Sequence, residues 1–248
     1  HQVTADAKLS QLSLTHWAQG GEEGFSWQGS LRGKSTLRES KTLEWDWIYR
    51  ASFGQSKSGD RSLRKTDDRI YFETTIVRKL GLFINPYCSA SMRTQFRPGY
   101  RYGPRRSVSK FFDPAYLTQA AGGGIDLRGV LKTRVGLALR EVLTREFTHY
   151  SDDPKTARIE DLDVQGGMES VTVIELPLSE SATLSSQLKL FRKFDDFGNM
   201  VMYSDTQLRV ELTSHVIVAA DLALIDDARA SDKLQSKQTL GLGIGYRW

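Results

Sequence analysis

The side chains that could support hydrolysis lie in one short polar stretch. His149, Ser151 and Asp152 fall within four residues of one another, and an acyl hydrolase uses a histidine beside a serine and a carboxylate. Closeness along the chain is not triad geometry, however, and the sequence has no Gly-x-Ser-x-Gly turn that would expose a nucleophilic serine. We therefore expect no catalytic residues and predict that the protein is not an enzyme.

Metal and nucleic-acid binding have little support in the sequence. One acidic run offers oxygen ligands for Ca²⁺, but its spacing matches no recognised calcium loop, so a solvated acidic flank is the favoured interpretation. The run consists of Asp152, Asp153, Glu160, Asp161 and Asp163. Cys88 is the only cysteine, which rules out an intramolecular disulfide and a cysteine-rich metal cage. The 34 lysines and arginines against 30 acidic residues leave a net charge of +4, too small an excess to indicate a nucleic-acid partner. We predict no metal, no cofactor and no nucleic acid.

Most of the remaining charged residues alternate with apolar residues. In the stretch 43–53, Glu44, Asp46 and Arg50 occupy even-numbered positions, while aromatic residues occupy odd-numbered positions between them. Successive side chains of a β-strand point to opposite faces, so charges of both signs would share one face, which lines the lumen if the sheet closes. The predicted lumen charge network comprises Arg32, Lys34, Glu44, Asp46, Arg50, Glu73, Arg93, Arg134, Arg140, Glu175, Lys189, Asp205, Arg209, Glu211 and Asp221.

Residues 98–114 combine arginines with aromatic rings. Such a combination also occurs on nucleic-acid platforms, but on an external barrel loop it suits contacts with lipid headgroups, lipopolysaccharide or a protein partner. Alternatively, the loop folds over the barrel mouth and pairs with the acidic stretch 147–167, and the sequence favours the two interpretations about equally. The candidate contact residues are Tyr100, Arg101, Tyr102, Arg105, Arg106, Phe111 and Phe112.

The elements that must position these residues are strands. Polar and apolar residues alternate in twelve segments, most of them long enough to meet the need for about 9–11 residues per membrane crossing. The longest apolar run, residues 216–220, is far too short for a membrane helix. The segments are 6–17, 24–38, 42–54, 69–79, 82–97, 115–127, 131–146, 168–178, 183–194, 199–212, 216–225 and 235–248. We predict one domain over residues 1–248, an all-β, closed antiparallel transmembrane β-barrel of about twelve strands. A water-soluble barrel or sandwich is the alternative.

The connections between the segments support the transmembrane interpretation. The even-numbered ones are tight, and the odd-numbered ones include the long polar stretches 55–68, 98–114, 147–167 and 226–234. Outer-membrane barrels have short periplasmic turns and longer extracellular loops. Aromatic residues near segment ends suit the two membrane–water interfaces. The predicted interface aromatics are Trp45, Trp47, Tyr49, Tyr246 and Trp248.

Several short motifs resemble one known family. Ser13–Glu22 resembles the first-hairpin motif (Asn or His, then Trp-x-x-Gly-Gly) of a Bacteroidota-type outer-membrane family known only as a domain of unknown function. Lys65–Asp68, Thr94–Tyr100 and Phe112–Leu117 resemble its other recurring pieces in the same order, and Gly241–Trp248 resembles its closing strand, although many members end in Phe. The resemblance implies an outer-membrane barrel made with a cleaved signal peptide, and a chain that begins without Met agrees with processing. It implies no activity.

The lumen charge network allows two functions. Because a barrel of twelve strands encloses a modest lumen, long side chains of both signs would cross-link and fill it, which favours an accessory or scaffold component of an outer-membrane protein complex. The alternative is a narrow passive channel for small polar solutes or ions. We predict a bacterial outer-membrane location, contact with the lipid bilayer and with lipopolysaccharide, and other outer-membrane proteins or lipoproteins as partners.

Overall fold

Twelve long strands pair edge to edge in a ring that closes on itself. The protein is represented by a computed structural model, which describes residues 2–12, 24–101, 106–152, 156–196, 198–228 and 233–247. All pairings are antiparallel, and the last strand of the chain pairs with the first. The strands are β1 (Gln2–Leu12), β2 (Gly24–Arg38), β3 (Leu43–Ser58), β4 (Arg64–Arg78), β5 (Asn85–Thr94), β6 (Gly99–Arg101), β7 (Arg106–Ser109), β8 (Ala115–Leu127), β9 (Leu131–Leu143), β10 (Leu162–Pro177), β11 (Ala182–Lys193), β12 (Met200–Glu211), β13 (Val216–Asp226) and β14 (Gln235–Arg247).

Two short elements stand apart from the ring. β6 and β7 form a small hairpin of their own within the loop between β5 and β8. A 3₁₀ turn, Thr148–Tyr150, lies between β9 and β10. Among the described residues, no helix is both long and apolar enough to cross a lipid bilayer. The predicted closed antiparallel barrel of twelve strands is confirmed.

The connections at one end of the ring are consistently short. They consist of residues 39–42, 79–84, 128–130, 178–181 and 212–215. At the opposite end, residues 95–114 and 144–161 form the longest connections between barrel strands. Three strands begin at least four residues earlier than the sequence predicted: β1 at Gln2, β4 at Arg64 and β10 at Leu162. Because β3 also continues to Ser58, the predicted long loop 55–68 shrinks to residues 59–63. We call the end with short turns the inner end and the other the outer end.

Polarity is inverted relative to a water-soluble protein. On β9, Leu137 is 65% exposed whereas Arg140 is 3% exposed, and on β10 Met168 is 45% exposed whereas Glu169 is 2% exposed. Charged residues are almost never buried in water-soluble proteins unless they are paired, and large contiguous apolar surfaces are rare there. In hydrocarbon, by contrast, a sheet must close to satisfy its backbone and must present apolar side chains outward. The chain is therefore a transmembrane β-barrel.

The location follows from the same surface. The apolar outer face extends around the ring and includes Leu31, Phe72, Val135, Leu208, Leu240 and Ile244. An even number of antiparallel strands, a polar interior and an apolar outer band are the properties of bacterial outer-membrane barrels. The protein is an outer-membrane β-barrel in contact with the lipid bilayer.

Three of the five predicted interface aromatics have described side chains. Trp45 and Trp47 lie near the inner end of β3, where their indole rings stack with centroids 4.7 Å apart, whereas Tyr49 lies closer to the middle of the strand. Trp45 Nε1 donates a hydrogen bond to Thr74 Oγ1 on the neighbouring strand. This satisfies the polar atom of a ring that otherwise faces the bilayer. The other two predicted aromatics, Tyr246 and Trp248, have side chains outside the described part of the structure.

Candidate functional site

The inner end of the lumen is filled by a cluster around Glu44. This buried carboxylate pairs with Lys79 and with Arg38 Nε, the latter at 3.3 Å. Lys132 Nζ lies 3.9 Å from a carboxylate oxygen of Glu44 and also 3.9 Å from one of Asp46. Because Lys132 belongs to β9 and the two acids to β3, these contacts reach across the lumen just above the short turns.

The middle of the lumen holds two buried ion pairs side by side. Arg134 Nη2 lies 2.7 Å from Glu73 Oε1, and Lys189 Nζ lies 2.7 Å from Glu169 Oε2. The hydroxyl of Tyr71 donates a hydrogen bond to Glu73. Both carboxylates are almost fully buried, so each depends on its cation to offset the cost of leaving water.

A second set of pairs links β1 and β2, at the start of the chain, to β12 and β13 near its end. Arg32 Nη2 lies 2.9 Å from Asp221 Oδ1, which joins β2 to β13. Arg209 pairs with Asp6 on β1 and with Glu211 on its own strand, the latter at 3.3 Å. These contacts fasten the region where the chain closes on itself.

Two ion pairs span the full width of the lumen. Arg69 on β4 donates from Nη1 to both carboxylate oxygens of Asp205 on β12, each at 2.5 Å. Arg50 Nη1 lies 3.8 Å from the same carboxylate. Nearer the inner end, Lys34 Nζ on β2 lies 3.1 Å from both oxygens of Glu175 on β10. Five strands separate β4 from β12 on either side, and the same holds for β2 and β10. Each pair is therefore a brace between opposite walls.

The outer part of the lumen is organised by two arginines. Arg140 Nη2 lies 2.7 Å from Asp227 Oδ2, which also accepts a hydrogen bond from the hydroxyl of Tyr203 at 2.7 Å. Arg140 Nη1 donates to the side-chain oxygen of Gln165 at 3.3 Å. The guanidinium of Arg93 stacks 3.6 Å from the ring centroid of Tyr203.

A cavity of about 570 Å³ lies above these groups. We call it the mouth cavity. Its walls come from barrel strands, and its rim includes Gly99 and Tyr100 of the β6–β7 hairpin and Tyr150 of the 3₁₀ turn. A second cavity, around Arg32 and Asp221, measures about 40 Å³. The mouth cavity is therefore much larger than the cavity beside Arg32 and Asp221.

The two longest outer connections contact each other. Lys110 pairs with Glu146, and the buried carboxylate of Asp113 accepts hydrogen bonds from the backbone N–H groups of Arg145 and Glu146 at 3.1 and 2.8 Å. The loop 98–114 is thus joined to residues 145 and 146, just before the acidic stretch 147–167. Pairing with the acids of that stretch, which the sequence suggested, stays a prediction.

The predicted loop contact residues divide into two groups. Tyr100 lines the mouth cavity, whereas the side chains of Arg101, Arg106, Phe111 and Phe112 are exposed. The two phenylalanine rings meet edge to face, with centroids 5.3 Å apart. The remaining two predicted residues, Tyr102 and Arg105, lie outside the described part of the chain.

The residues considered for hydrolysis are occupied by other contacts. Ser151 is buried, and its hydroxyl donates to the carbonyl oxygen of Glu160 at 2.7 Å. His149 stacks against Tyr150 with ring centroids 3.9 Å apart, and burial together with nearby Arg106 lowers the pKa of its imidazole. Asp152 Oδ1 accepts a backbone hydrogen bond from Glu160 at 3.2 Å. These contacts hold the connection in shape.

The lumen contains more charged partners than the sequence identified. Every residue of the predicted network has a charged or aromatic partner in the lumen. The partners that the prediction missed include Asp6, Lys8, Arg38, Asp67, Arg69, Lys79, Lys132, Glu169, Asp227 and Lys237. A signal was present for some of them. Glu169 and Lys132 have the same strand parity as Glu175 and Arg134, so strict alternation would have included them.

The comparison with protein families gives one match. The family model DUF3078, described as a protein of unknown function, matches residues 9–100. The resemblance to a family of unknown function is confirmed over that range, and the segments Phe112–Leu117 and Gly241–Trp248 lie beyond it. No curated protein sequence matches the chain.

Several solved structures share the general architecture. The translocator domain of the autotransporter NalP from Neisseria meningitidis is 14% identical, with a TM-score of 0.42 over 100% of this chain and 88% of that one. An outer membrane channel from Pseudomonas putida F1 is also 14% identical, with a TM-score of 0.42 over 99% and 94% of the two chains. OmpT, an outer membrane protein of Vibrio cholerae, is 8% identical, with a TM-score of 0.32 over 100% and 96%. Likeness at this level adds nothing to the barrel assignment, which rests on the strand pairing.

Proposed function

We propose that this barrel is a non-enzymatic accessory or scaffold component of an outer-membrane protein complex, with a lumen that is structural rather than conductive. The observation that carries the proposal is the pair of braces between opposite walls, Arg69–Asp205 and Lys34–Glu175. An ion that crosses the barrel would have to pass both, and also the buried pairs Arg134–Glu73 and Lys189–Glu169.

The energetics favour a lumen that stays closed. Breaking a buried ion pair by removing one partner costs about 3–5 kcal/mol, because a charge is left without compensation. Glu73, Glu169 and Asp6 are each buried against a cation. Opening a passage through the middle would separate several such pairs at once. Thermal fluctuation is therefore a poor route to an open state.

The outer loops supply the docking surface in this proposal. Phe111 is 56% and Phe112 is 41% exposed, and Arg101 and Arg106 lie nearby on the same loop. Exposed aromatic residues with arginine are enriched where proteins associate. Because the loop is fastened by Asp113 and Lys110, the aromatic pair is presented at a fixed place. We propose another outer-membrane protein or a lipoprotein as the partner.

Conductance separates this proposal from the channel alternative. The purified barrel in planar bilayers should give no steady conductance steps. The alternative, a narrow passive channel for small polar solutes or ions, is favoured by the mouth cavity of about 570 Å³. Steady ion-selective steps in the wild-type protein, altered by Asp205→Asn, would support the channel and overturn the structural lumen.

Purification from native membranes in mild detergent tests the docking surface. We expect one partner at fixed stoichiometry, identified by mass spectrometry, and its loss from the double variant Phe111→Ser, Phe112→Ser. Phe194→Ser is the matched control, because Phe194 is an exposed phenylalanine, 48% accessible, on a different outer connection. A partner retained equally by all three proteins would contradict the assigned surface, and a clean monomer would contradict the scaffold role.

A further inference from the structure

The mouth cavity has a surplus of positive charge. Among the described residues that line it, seven carry a cationic side chain and four carry a carboxylate. All four carboxylates are already matched inside the barrel. The pairs are Asp205 with Arg69, Asp227 with Arg140, Asp67 with Lys237 and Asp68 with Lys65. The cavity therefore has cations that its own acids do not neutralise.

Arg93 is the cation that remains most available. Of the other two, Lys189 pairs with Glu169 below the cavity floor, and Arg50 lies 3.8 Å from Asp205. No carboxylate in the described ranges lies within ion-pairing distance of Arg93. Its guanidinium instead stacks on two tyrosine rings, 3.6 Å from the centroid of Tyr203 and 4.5 Å from that of Tyr116.

Stacking fixes the orientation of this guanidinium. The faces of a guanidinium can be covered by aromatic rings while its edge N–H groups remain able to donate. Those donors match the geometry of a carboxylate or a phosphate, which accept two parallel hydrogen bonds. A stacked arginine without an acid is thus a prepared anion site, since the aromatic contacts have already restricted its conformations.

A second, independent feature points into the same cavity. Gln187 lines it from β11, is 6% exposed, and its side-chain Nε2 has no hydrogen-bond partner. A buried donor without an acceptor costs free energy that a bound acceptor would restore. Lys189, two residues further along β11, also lines the cavity, and its Nζ donates to Ser91 Oγ at 2.9 Å.

We propose that the mouth cavity binds a small soluble organic anion, with its carboxylate or phosphate held by Arg93 and its acceptor oxygens within reach of Gln187. The volume of about 570 Å³ is within the range of small-molecule sites. Rings of Tyr71, Tyr116 and Phe191 line the walls, so a compact apolar or aromatic body would fit beside the anionic group. The closed ring of strands separates the cavity from the bilayer, which favours a free solute over a lipid headgroup.

This inference goes beyond the scaffold role and does not depend on it. The test is calorimetric titration of the whole barrel in neutral detergent micelles, which measures the binding of two anionic probes, benzoate and phenyl phosphate. Benzamide is the neutral counterpart of benzoate. We expect binding of at least one anionic probe, none of benzamide, and affinity lower by about tenfold or more in Arg93→Gln, as the loss of a charged hydrogen-bond donor implies. Arg38→Gln is the matched control, because it removes the same charge at the opposite end of the barrel, where Arg38 is largely exposed.

Each outcome of the titration decides the proposal. Absence of binding by wild type, or equal affinities for wild type and Arg93→Gln, would overturn it. Equal weakening by Arg38→Gln would also overturn it, because binding would then reflect only net charge.

If Arg93→Gln does not form the heat-resistant barrel on a gel, Gln187→Met replaces it as the test variant. That variant removes a donor with no partner and should fold, with affinity for the anionic probe reduced several-fold; unchanged affinity would refute the site. None of these results bears on partner binding.

Discussion

The ion pair of Arg140 with Asp227 shows how much one buried residue can matter in this lumen. Both side chains are almost fully buried, and Tyr203 donates a further hydrogen bond to the carboxylate. Asp227→Asn would leave the guanidinium buried without a counter-charge, which costs about 3–5 kcal/mol. We expect the urea midpoint of unfolding in detergent micelles, followed by tryptophan fluorescence, to fall accordingly.

The matched control is an acid in a more exposed pair. Asp126 lies at the inner end, 39% exposed, and its partner Lys132 is 32% exposed, so Asp126→Asn should cost about 1 kcal/mol or less. Equal losses for the two variants would contradict the role given to burial.

The same pair gives a pH dependence with a defined sign. Burial alone would raise the pKa of Asp227, but Arg140 and the Tyr203 hydroxyl more than offset it, so the pKa lies below its ordinary value. The stabilisation is therefore fully present above the pKa of an unfolded aspartate, about 3.9, and is lost as the pH falls through the folded value. The stability difference between wild type and Asp227→Asn should vanish in strong acid, and a constant difference would contradict this.

At the scale of elements, glycines set how closely β8 and β9 approach. Gly122 pairs with Gly136, and a Cβ at Gly122 would lie 2.1 Å from the carbonyl oxygen of Val135 and 2.4 Å from the Cα of Gly136. Backbone atoms of a paired strand cannot move aside without breaking the ladder. We expect Gly122→Ala to reduce the yield of refolded barrel, measured by its heat-dependent mobility on a gel.

Gly29 provides the control for that substitution. It lies on β2, and a Cβ placed there has no atom within 4 Å, so Gly29→Ala should refold like wild type. If both alanine variants refold equally well, the close approach of β8 and β9 does not limit folding.

The strands could be predicted from the sequence where they contact lipid, but less well where they extend beyond the bilayer at the outer end. Alternation identified β3 and β9 because one face needs apolar residues over the whole bilayer. In the outer part of β4, Lys65, Asp67 and Asp68 follow one another with few apolar residues between them, since water is the solvent on both sides there. The alternation fades, and partners such as Asp67 and Arg69 were assigned to a loop or omitted.

At the scale of the whole molecule, partner choice across the lumen depends on closure. Lys34 and Glu175 are separated by 141 positions in the sequence, and they meet only because β2 and β10 lie opposite each other at similar heights in the ring. Odd or even position in the sequence shows which side chains of a strand point into the lumen. The height of a residue along the barrel axis, however, depends on the register of every strand pairing between β2 and β10. The sequence therefore predicted part of the membership of the network and none of its pairs across the lumen.

The inverted polarity of the whole barrel makes a prediction through its single cysteine. Cys88 is exposed on β5 and has the same parity as Met92, on the face that contacts lipid. It follows Asn85, the first residue of β5, by three positions, so at about 3.3 Å per residue its thiol lies within the hydrocarbon region and away from the inner membrane–water interface.

In liposomes, a charged, water-soluble maleimide should leave Cys88 unmodified, while an apolar maleimide that partitions into lipid should label it. Urea-unfolded protein, in which both reagents should react, controls for the thiol itself. Rapid labelling of the reconstituted barrel by the charged reagent would mean that β5 faces water, and the proposed membrane embedding of this wall would be wrong.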